Sequence, residues 1–233
     1  MGFRASRIAI SSWLVGSLVG LREIRIWLSS GGAPCQREPV PASPAFHSIE
    51  RVEHPDWIFE KHGAIEAAEL ARKQGKGRFI GFTGHKNPEY HLAMLAKPYA
   101  WDALQMPLNA LDPHFRSFEH LVLPEAVKRN LGIEGMKPMA FQNAPKTGVV
   151  TSTECLHYAM SLPVSVSITE CETEERLRTA LEAVRALEQL SSGEMQALRD
   201  RLLPFVKGGE SEPYKTTTNF DNKPTAFAPP YEA

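Results

Sequence analysis

Two kinds of stretch alternate along this chain: short apolar runs, and longer stretches whose apolar residues recur at helical spacing. The short runs predict five strands, at 45–49, 78–83, 103–108, 132–139 and 164–169, with starts about 25 to 33 residues apart, the length of a βα unit. Helical patterns follow them. Residues 63–76 carry Ile65, Ala68, Leu70 and Ala71 on one side and stop at Gly75-Lys76-Gly77, and 88–96 opens on a proline suited to a first turn. Thr151 with Glu154, and Ser191 with Glu194, have capping-box spacing ahead of helices at 151–160 and 192–203. A helix at 173–190 begins with Glu174 and Glu175 and sets Leu177, Leu181, Val184 and Leu187 on one face.

Serial βα repeats with right-handed crossovers build a parallel sheet, either doubly wound or closed as a barrel. A complete (β/α)8 barrel needs about 250 residues. The repeats here occupy 45–206, which is room for about five units, so the expected fold is α/β: a partial (β/α)8 TIM barrel. Residues 1–44 are expected to be an irregular N-terminal segment and linker, and 207–233, rich in Gly, Pro, Thr and Glu, a disordered or surface tail. Such a barrel leaves the strand at Ala45 and the strand ending near Thr169 as open edges prone to self-association.

Composition narrows the function classes. Charged residues make up 23% of the chain and the formal net charge is -1, with no clustered basic footprint for nucleic acid or anionic membrane. Arg4 and Arg7 ahead of the run 8–21 imitate a signal peptide, but serines and glycines dilute that run and no clean cleavage site follows. Cys35, Cys155 and Cys171 form no C-x-x-C pair, which points to a reducing, cytoplasmic setting. The histidines include no H-E-x-x-H, and no metal site is expected. Gly75-Lys76-Gly77 precedes a strand where a dinucleotide loop must follow one.

The segments Phe46-His47-Ser48-Ile49-Glu50, Gly63-Ala64-Ile65-Glu66-Ala67-Ala68, Arg78-Phe79-Ile80-Gly81-Phe82-Thr83-Gly84-His85, Gln105-Met106-Pro107-Leu108-Asn109, Gly135-Met136-Lys137-Pro138-Met139 and Leu162-Pro163-Val164-Ser165-Val166 stand in an informative order. Together they resemble the second half of a bacterial aldo-keto reductase, over about 45–203. That resemblance implies a TIM barrel that reduces small aldehydes and ketones with NADPH, represented here by its strands four to eight. It also implies that His47 is the histidine of a Tyr-Lys-Asp-His catalytic set. Before His47 the chain has no Tyr, Lys or Asp: the first are Tyr90, Lys61 and Asp56. The resemblance therefore implies a truncated and catalytically impaired member.

Cofactor positions follow from the same resemblance. Thr83 and Gly84 stand where the family holds the nicotinamide carboxamide, and Gln105 where a glutamine shares that task. Met136 and Lys137 replace a stacking aromatic ring and a serine. Thr169 and Arg176 match the cradle of the adenosine 2'-phosphate, where a guanidinium fork suits phosphate. Glu170 departs from an expected glycine, Ala180 from an adenine-contacting asparagine, and Ala140-Phe141-Gln142-Asn143 from a glycine run. Ordinary strand-end and helix-surface polarity is the plainer account of Thr83, Gln105 and Arg176. Two classes remain open: an NADP-dependent reductase that lacks its first units, and a non-catalytic nucleotide-binding or protein-interaction protein derived from that barrel.

Overall fold

The computed structural model describes residues 7–11, 45–46 and 49–220. Its strands are β1 (Arg7–Ser11), β2 (Ala45–Phe46), β3 (Gly81–Thr83), β4 (Ala103–Pro107), β5 (Gly132–Met136) and β6 (Val166–Glu170). They form one sheet in the order β1-β6-β5-β4-β3-β2, and every neighbouring pair is parallel. The strands from β2 to β6 lie side by side in chain order, which is the arrangement of a barrel wall. The fold is α/β, a partial barrel as expected.

Helices link the strands: α1 (His54–Phe59) and α2 (Ala64–Lys73), α3 (Pro88–Ala96), α4 (Phe118–Leu121) and α5 (Leu123–Lys128), α6 (Asn143–Lys146) and α7 (Ser152–Ser161). After β6 come α8 (Glu174–Arg185), α9 (Ser192–Leu202) and the short α10 (Pro213–Thr216). Both capping boxes form: Thr151 and Ser191 each accept a bond from the backbone of the glutamate three residues on, whose side chain reaches back. The pair α4 and α5 was not anticipated from the sequence. It starts on Ser117, whose hydroxyl accepts from the His120 amide.

The core lies between sheet and helices. Trp101 gathers Phe82, Tyr99, Phe46 and Phe59 around it at ring distances of 4.9, 4.7, 5.8 and 6.0 Å. Its indole N–H donates to the Met94 carbonyl at 3.0 Å, so the ring is buried with its polar group satisfied. The α8 face differs from expectation: Ala180 and Ala183 pack on Leu156 and Met160 of α7, with Val184 and Leu187 beside them, while Leu181 is exposed. Small residues let the two helices approach closely. Leu70 of α2 is likewise exposed, and Ala68 is the buried residue there.

Three expectations need correction. The segment 1–44 is not wholly irregular, because β1 lies within it and pairs with β6 from Arg7 opposite Val166 to Ser11 opposite Glu170. The edge expected beyond Thr169 is therefore covered, and among the described residues the sheet has its edges at β1 and β2. Of the two alternatives for the tail, a disordered or a surface segment, the disordered one fails over 207–220: Tyr214 and Lys215 are fully buried, and α10 is laid across loops that leave the sheet. The rest of that tail, 221–233, lies outside the described residues.

Gly81 shows how tightly the wall is built. A Cβ there would lie 2.6 Å from the Ala103 carbonyl oxygen on the next strand. Gly81→Ala is expected to destabilise the protein by about 1–3 kcal/mol, seen in urea unfolding as a lower midpoint with an unchanged slope; an unchanged midpoint would refute the tight packing of β3 on β4.

Candidate functional site

In a parallel sheet flanked by helices, functional groups collect at the C-terminal ends of the strands. Here those ends carry Thr83, Met136 and Thr169, with Gly84 and Lys137 one residue beyond β3 and β5, while Gln105 sits at the middle of β4. His47 lies outside the described residues.

Thr83 and Gln105 come together. They are register partners on β3 and β4, and the Thr83 hydroxyl donates to Gln105 Oε1 at 3.0 Å. Gln105 Nε2 then donates to Glu134 Oε2 at 3.3 Å, on β5. Parallel register partners point to the same side of a sheet, so these three side chains form one row. The intervening residues Phe82, Leu104 and Ile133 enter the apolar core. Glu134 was not expected at the site. Its signal was a charged residue inside an otherwise apolar five-residue strand. Burial raises its pKa to about 7, opposed by the Gln105 bond, and its Oε1 has no hydrogen-bond partner.

Gly84 has a packing reason of its own. A Cβ there would meet the Ile49 carbonyl oxygen at 2.8 Å and the buried His91 ring at 2.9 Å. His91 accordingly stays neutral, its pKa lowered to about 4 by burial, with Nε2 at 3.1 Å from the Gln105 carbonyl.

The loop after β5 is unusual. Lys137, Ala140, Phe141 and Gln142 all have positive φ, between 48° and 65°, where side chains are strained and glycine is at ease. These include the positions at which a glycine run was expected. Lys137 lies over the Phe141 and Tyr214 rings, 5.3 Å from each centroid, and burial lowers its pKa to about 8 against the pull of Glu170. Met136, beside Lys137, is buried and contributes its sulfur to the ammonium at 3.2 Å.

β6 offers less. Its Val166 and Ile168 lie on the side of Glu134, so Thr169 lies on the other side of the sheet, 1% exposed and with no partner for its hydroxyl, while Arg176, on the first turn of α8, is paired with Glu172. Thr83, Gly84 and Gln105 are thus one cluster, Met136 and Lys137 a second under the Phe141 ring, and Thr169 and Arg176 are engaged separately.

Across these ends runs a strap, residues 211–217. Lys215 Nζ donates to Asp112 Oδ1 at 2.7 Å, Glu212 Oε2 at 2.7 Å and the Phe115 carbonyl at 2.8 Å. Asn109, two residues past β4, donates to Glu212 at 3.3 Å and to the Tyr214 hydroxyl at 3.0 Å, and Tyr214 itself donates to Glu212. Asn143 holds the Ser211 carbonyl at 2.9 Å, and Lys86, just beyond β3, the Thr217 carbonyl at 2.5 Å. Tyr214 meets the His85 ring edge-on at 5.9 Å. A separate open cleft of about 490 Å³ follows β2, lined by Glu50, Arg51, Val52, Glu53, Trp57 and Tyr90. Among the described residues no helix is long and apolar enough to cross a membrane.

No family model and no curated protein matches the chain. Solved aldo-keto reductases are similar to it in structure. One from Bacillus halodurans in its apo form is 16% identical with a TM-score of 0.48, over 59% of this chain and 55% of that one. Another, from a Medee basin deep-sea metagenome library, is 16% identical with a TM-score of 0.48, over 69% of this chain and 59% of that one. A thermostable aldo-keto reductase in complex with the inhibitor epalrestat is 19% identical with a TM-score of 0.44, over 58% and 53%. The chain spans between half and three fifths of the length of these solved chains.

The strap's anchor can be tested directly. Lys215→Ala leaves two carboxylates buried without their cation and is expected to cost about 3–5 kcal/mol. Burial already raises the Glu212 pKa, and loss of Lys215 raises it further, so the folded variant holds a proton that the unfolded chain releases. Its deficit is therefore smallest in mild acid and grows as pH rises. Urea unfolding at pH 5 and pH 8 measures this; equal deficits at both would contradict it.

Proposed function

We propose that this chain is the nicotinamide-binding part of an aldo-keto reductase-like barrel, which binds NADPH weakly and does not by itself reduce carbonyls at an enzyme's ordinary rate. The observation that supports the reading is the pair Thr83–Gln105, hydrogen-bonded between register partners of adjacent parallel strands. Gln105 keeps one amide N–H and one lone pair beyond those used by Thr83 and Glu134, enough to pair with a carboxamide. The nicotinamide end of the cofactor therefore fits. Its phosphate end fits poorly, since Arg176 must leave Glu172, and Glu174 and Glu175 share the same turn.

When bound, the dinucleotide supplies the hydride. The chain's own residues would hold the carboxamide through Thr83 and Gln105, and Met136 would offer an apolar surface in place of an aromatic ring. The proton is the difficulty. General acid catalysis contributes about 10²- to 10⁴-fold, and of the four tyrosines among the described residues Tyr90 lies on α3 beside the separate cleft after β2 while the other three are committed elsewhere. Tyr214 is buried against Glu212 and Asn109, Tyr158 against Glu119 and Arg199, and Tyr99 donates to Glu69. The pKa values of all three are raised, chiefly by burial. The strap favours the second reading, a non-catalytic binding protein, because it commits the loops at the strand ends to internal bonds.

Fluorescence titration with NADPH tests the reading. Weak binding is expected, and Arg176→Ala should weaken it roughly tenfold, the scale of one charge-assisted hydrogen bond; binding unaffected by that change would mean that Arg176 is not the phosphate group's partner. With an activated aromatic aldehyde, turnover is expected to stay below about 1 s⁻¹, the low end of ordinary enzymes. Faster turnover, abolished by His47→Ala, would sink the impaired assignment.

A further inference from the structure

Glu134 is the one carboxylate in the row, and its two oxygens are treated differently. Oε2 accepts from the Gln105 amide at 3.3 Å, and Oε1 is buried with no partner. The residue is 3% exposed. A bare carboxylate oxygen in such a place is costly, whereas a proton on it, or a donor from a ligand, removes the cost.

The Gln105 amide lies between groups with different abilities. A hydroxyl such as Thr83 can donate or accept, and an ionised carboxylate can only accept. With Glu134 ionised, the amide must turn its NH2 toward Glu134 and its oxygen toward Thr83, which is the arrangement seen. With Glu134 neutral, the carboxyl O–H can donate to the amide oxygen, and the NH2 can turn to the Thr83 hydroxyl. Both arrangements pair the Gln105 amide with both of its neighbours, only the ionised one leaves a bare carboxylate oxygen at Oε1, and one proton separates them.

We propose that Glu134 is a positioning residue which, through its own proton, sets the direction of the Gln105 amide and so decides whether the row offers a donor or an acceptor to a carboxamide-bearing ligand. This rests on the reading of Thr83 and Gln105 as the carboxamide site. Among the described residues, the charged groups on the neighbouring elements are engaged elsewhere. β3 and β4 carry no ionisable side chain, and the Glu170 of β6 acts on Lys137. On α5, Glu125 and Lys128 pair with each other at 4.0 Å on the helix side of the sheet. Burial holds the Glu134 pKa at about 7, which brings the change into the neutral range.

The test uses the full chain and Glu134→Gln, which keeps size and polarity but cannot titrate. The side-chain amide resonances of Gln105, assigned by their loss in Gln105→Leu, are followed by ¹⁵N NMR from pH 5 to pH 8. In the native protein they should shift with a midpoint near 7, and in Glu134→Gln they should not. Over the same range the folding equilibrium constant of the native protein, relative to Glu134→Gln, should fall roughly 10- to 100-fold, because the folded state keeps a proton that the unfolded state has lost. Amide resonances that do not move, or that move equally in both proteins, overturn the proposal. NADPH affinity should differ several-fold between pH 6 and pH 8 in the native protein and not in Glu134→Gln. An amide that titrates while NADPH affinity stays constant overturns the ligand half. Absence of NADPH binding at every pH overturns the cofactor reading instead, and the amide titration then decides this proposal alone.

Discussion

An ammonium group withdrawn wholly from water persists only where carboxylates and carbonyls replace its hydration, and Lys215 is so placed between Asp112 and Glu212. Asp112 is itself committed: it accepts from the Ser117 hydroxyl and from the backbone amides of Phe118 and Glu119, which opens α4. Glu119 in turn binds Arg199 of α9 and the Tyr158 hydroxyl of α7. One chain of charge-assisted bonds therefore joins the strap, the loop after β4, and three helices. An apolar core could supply comparable stability without it. What the chain of charges adds is a fixed place for each partner, because a shift of any one of them leaves a buried charge unmatched.

The strand ends combine that rigidity with local strain. The loop after β5 keeps a left-handed path through Ala140, Phe141 and Gln142, at a cost of about 1 kcal/mol or more per residue. Side chains at these positions have uses that glycines lack. Phe141 stacks on Phe220 and, with Tyr214, bounds Lys137. The space that a flexible glycine loop would leave open to a ligand is furnished with aromatic rings. The row on β3, β4 and β5, by contrast, is polar, in register and free of left-handed backbone.

The βα order, the positions of the strands after β2 and both capping boxes were legible in the sequence, because each rests on local periodicity or on contacts within four residues. Thr83 and Gln105 were legible only through a family resemblance; their contact spans 22 residues and depends on strand register. β1 was hidden because its run resembles many apolar segments and its partner is the last of the described strands. The strap was hidden for a different reason. Composition marks Lys207 to Thr218 as polar and loop-like, and only the burial of Lys215 and Tyr214 against residues about a hundred positions earlier turns that polarity into structure. Leu181 and Leu70 misled in the opposite direction, since helical periodicity names a face but not the neighbour that covers it.

The Lys215 anchor also bears on how sequences related to this one can drift. Asp112, Glu212 and Lys215 share two ion pairs, so their substitutions cannot act independently. Changing the lysine alone strands two acids, and changing one acid alone leaves the other to balance the lysine in a dry place. An all-apolar trio of similar volume could be as stable as the present one, yet each single step toward it passes through a less stable protein. Descendants of this chain should therefore either keep the three residues together or exchange them together, so that the anchor is inherited as one unit although its members lie a hundred residues apart.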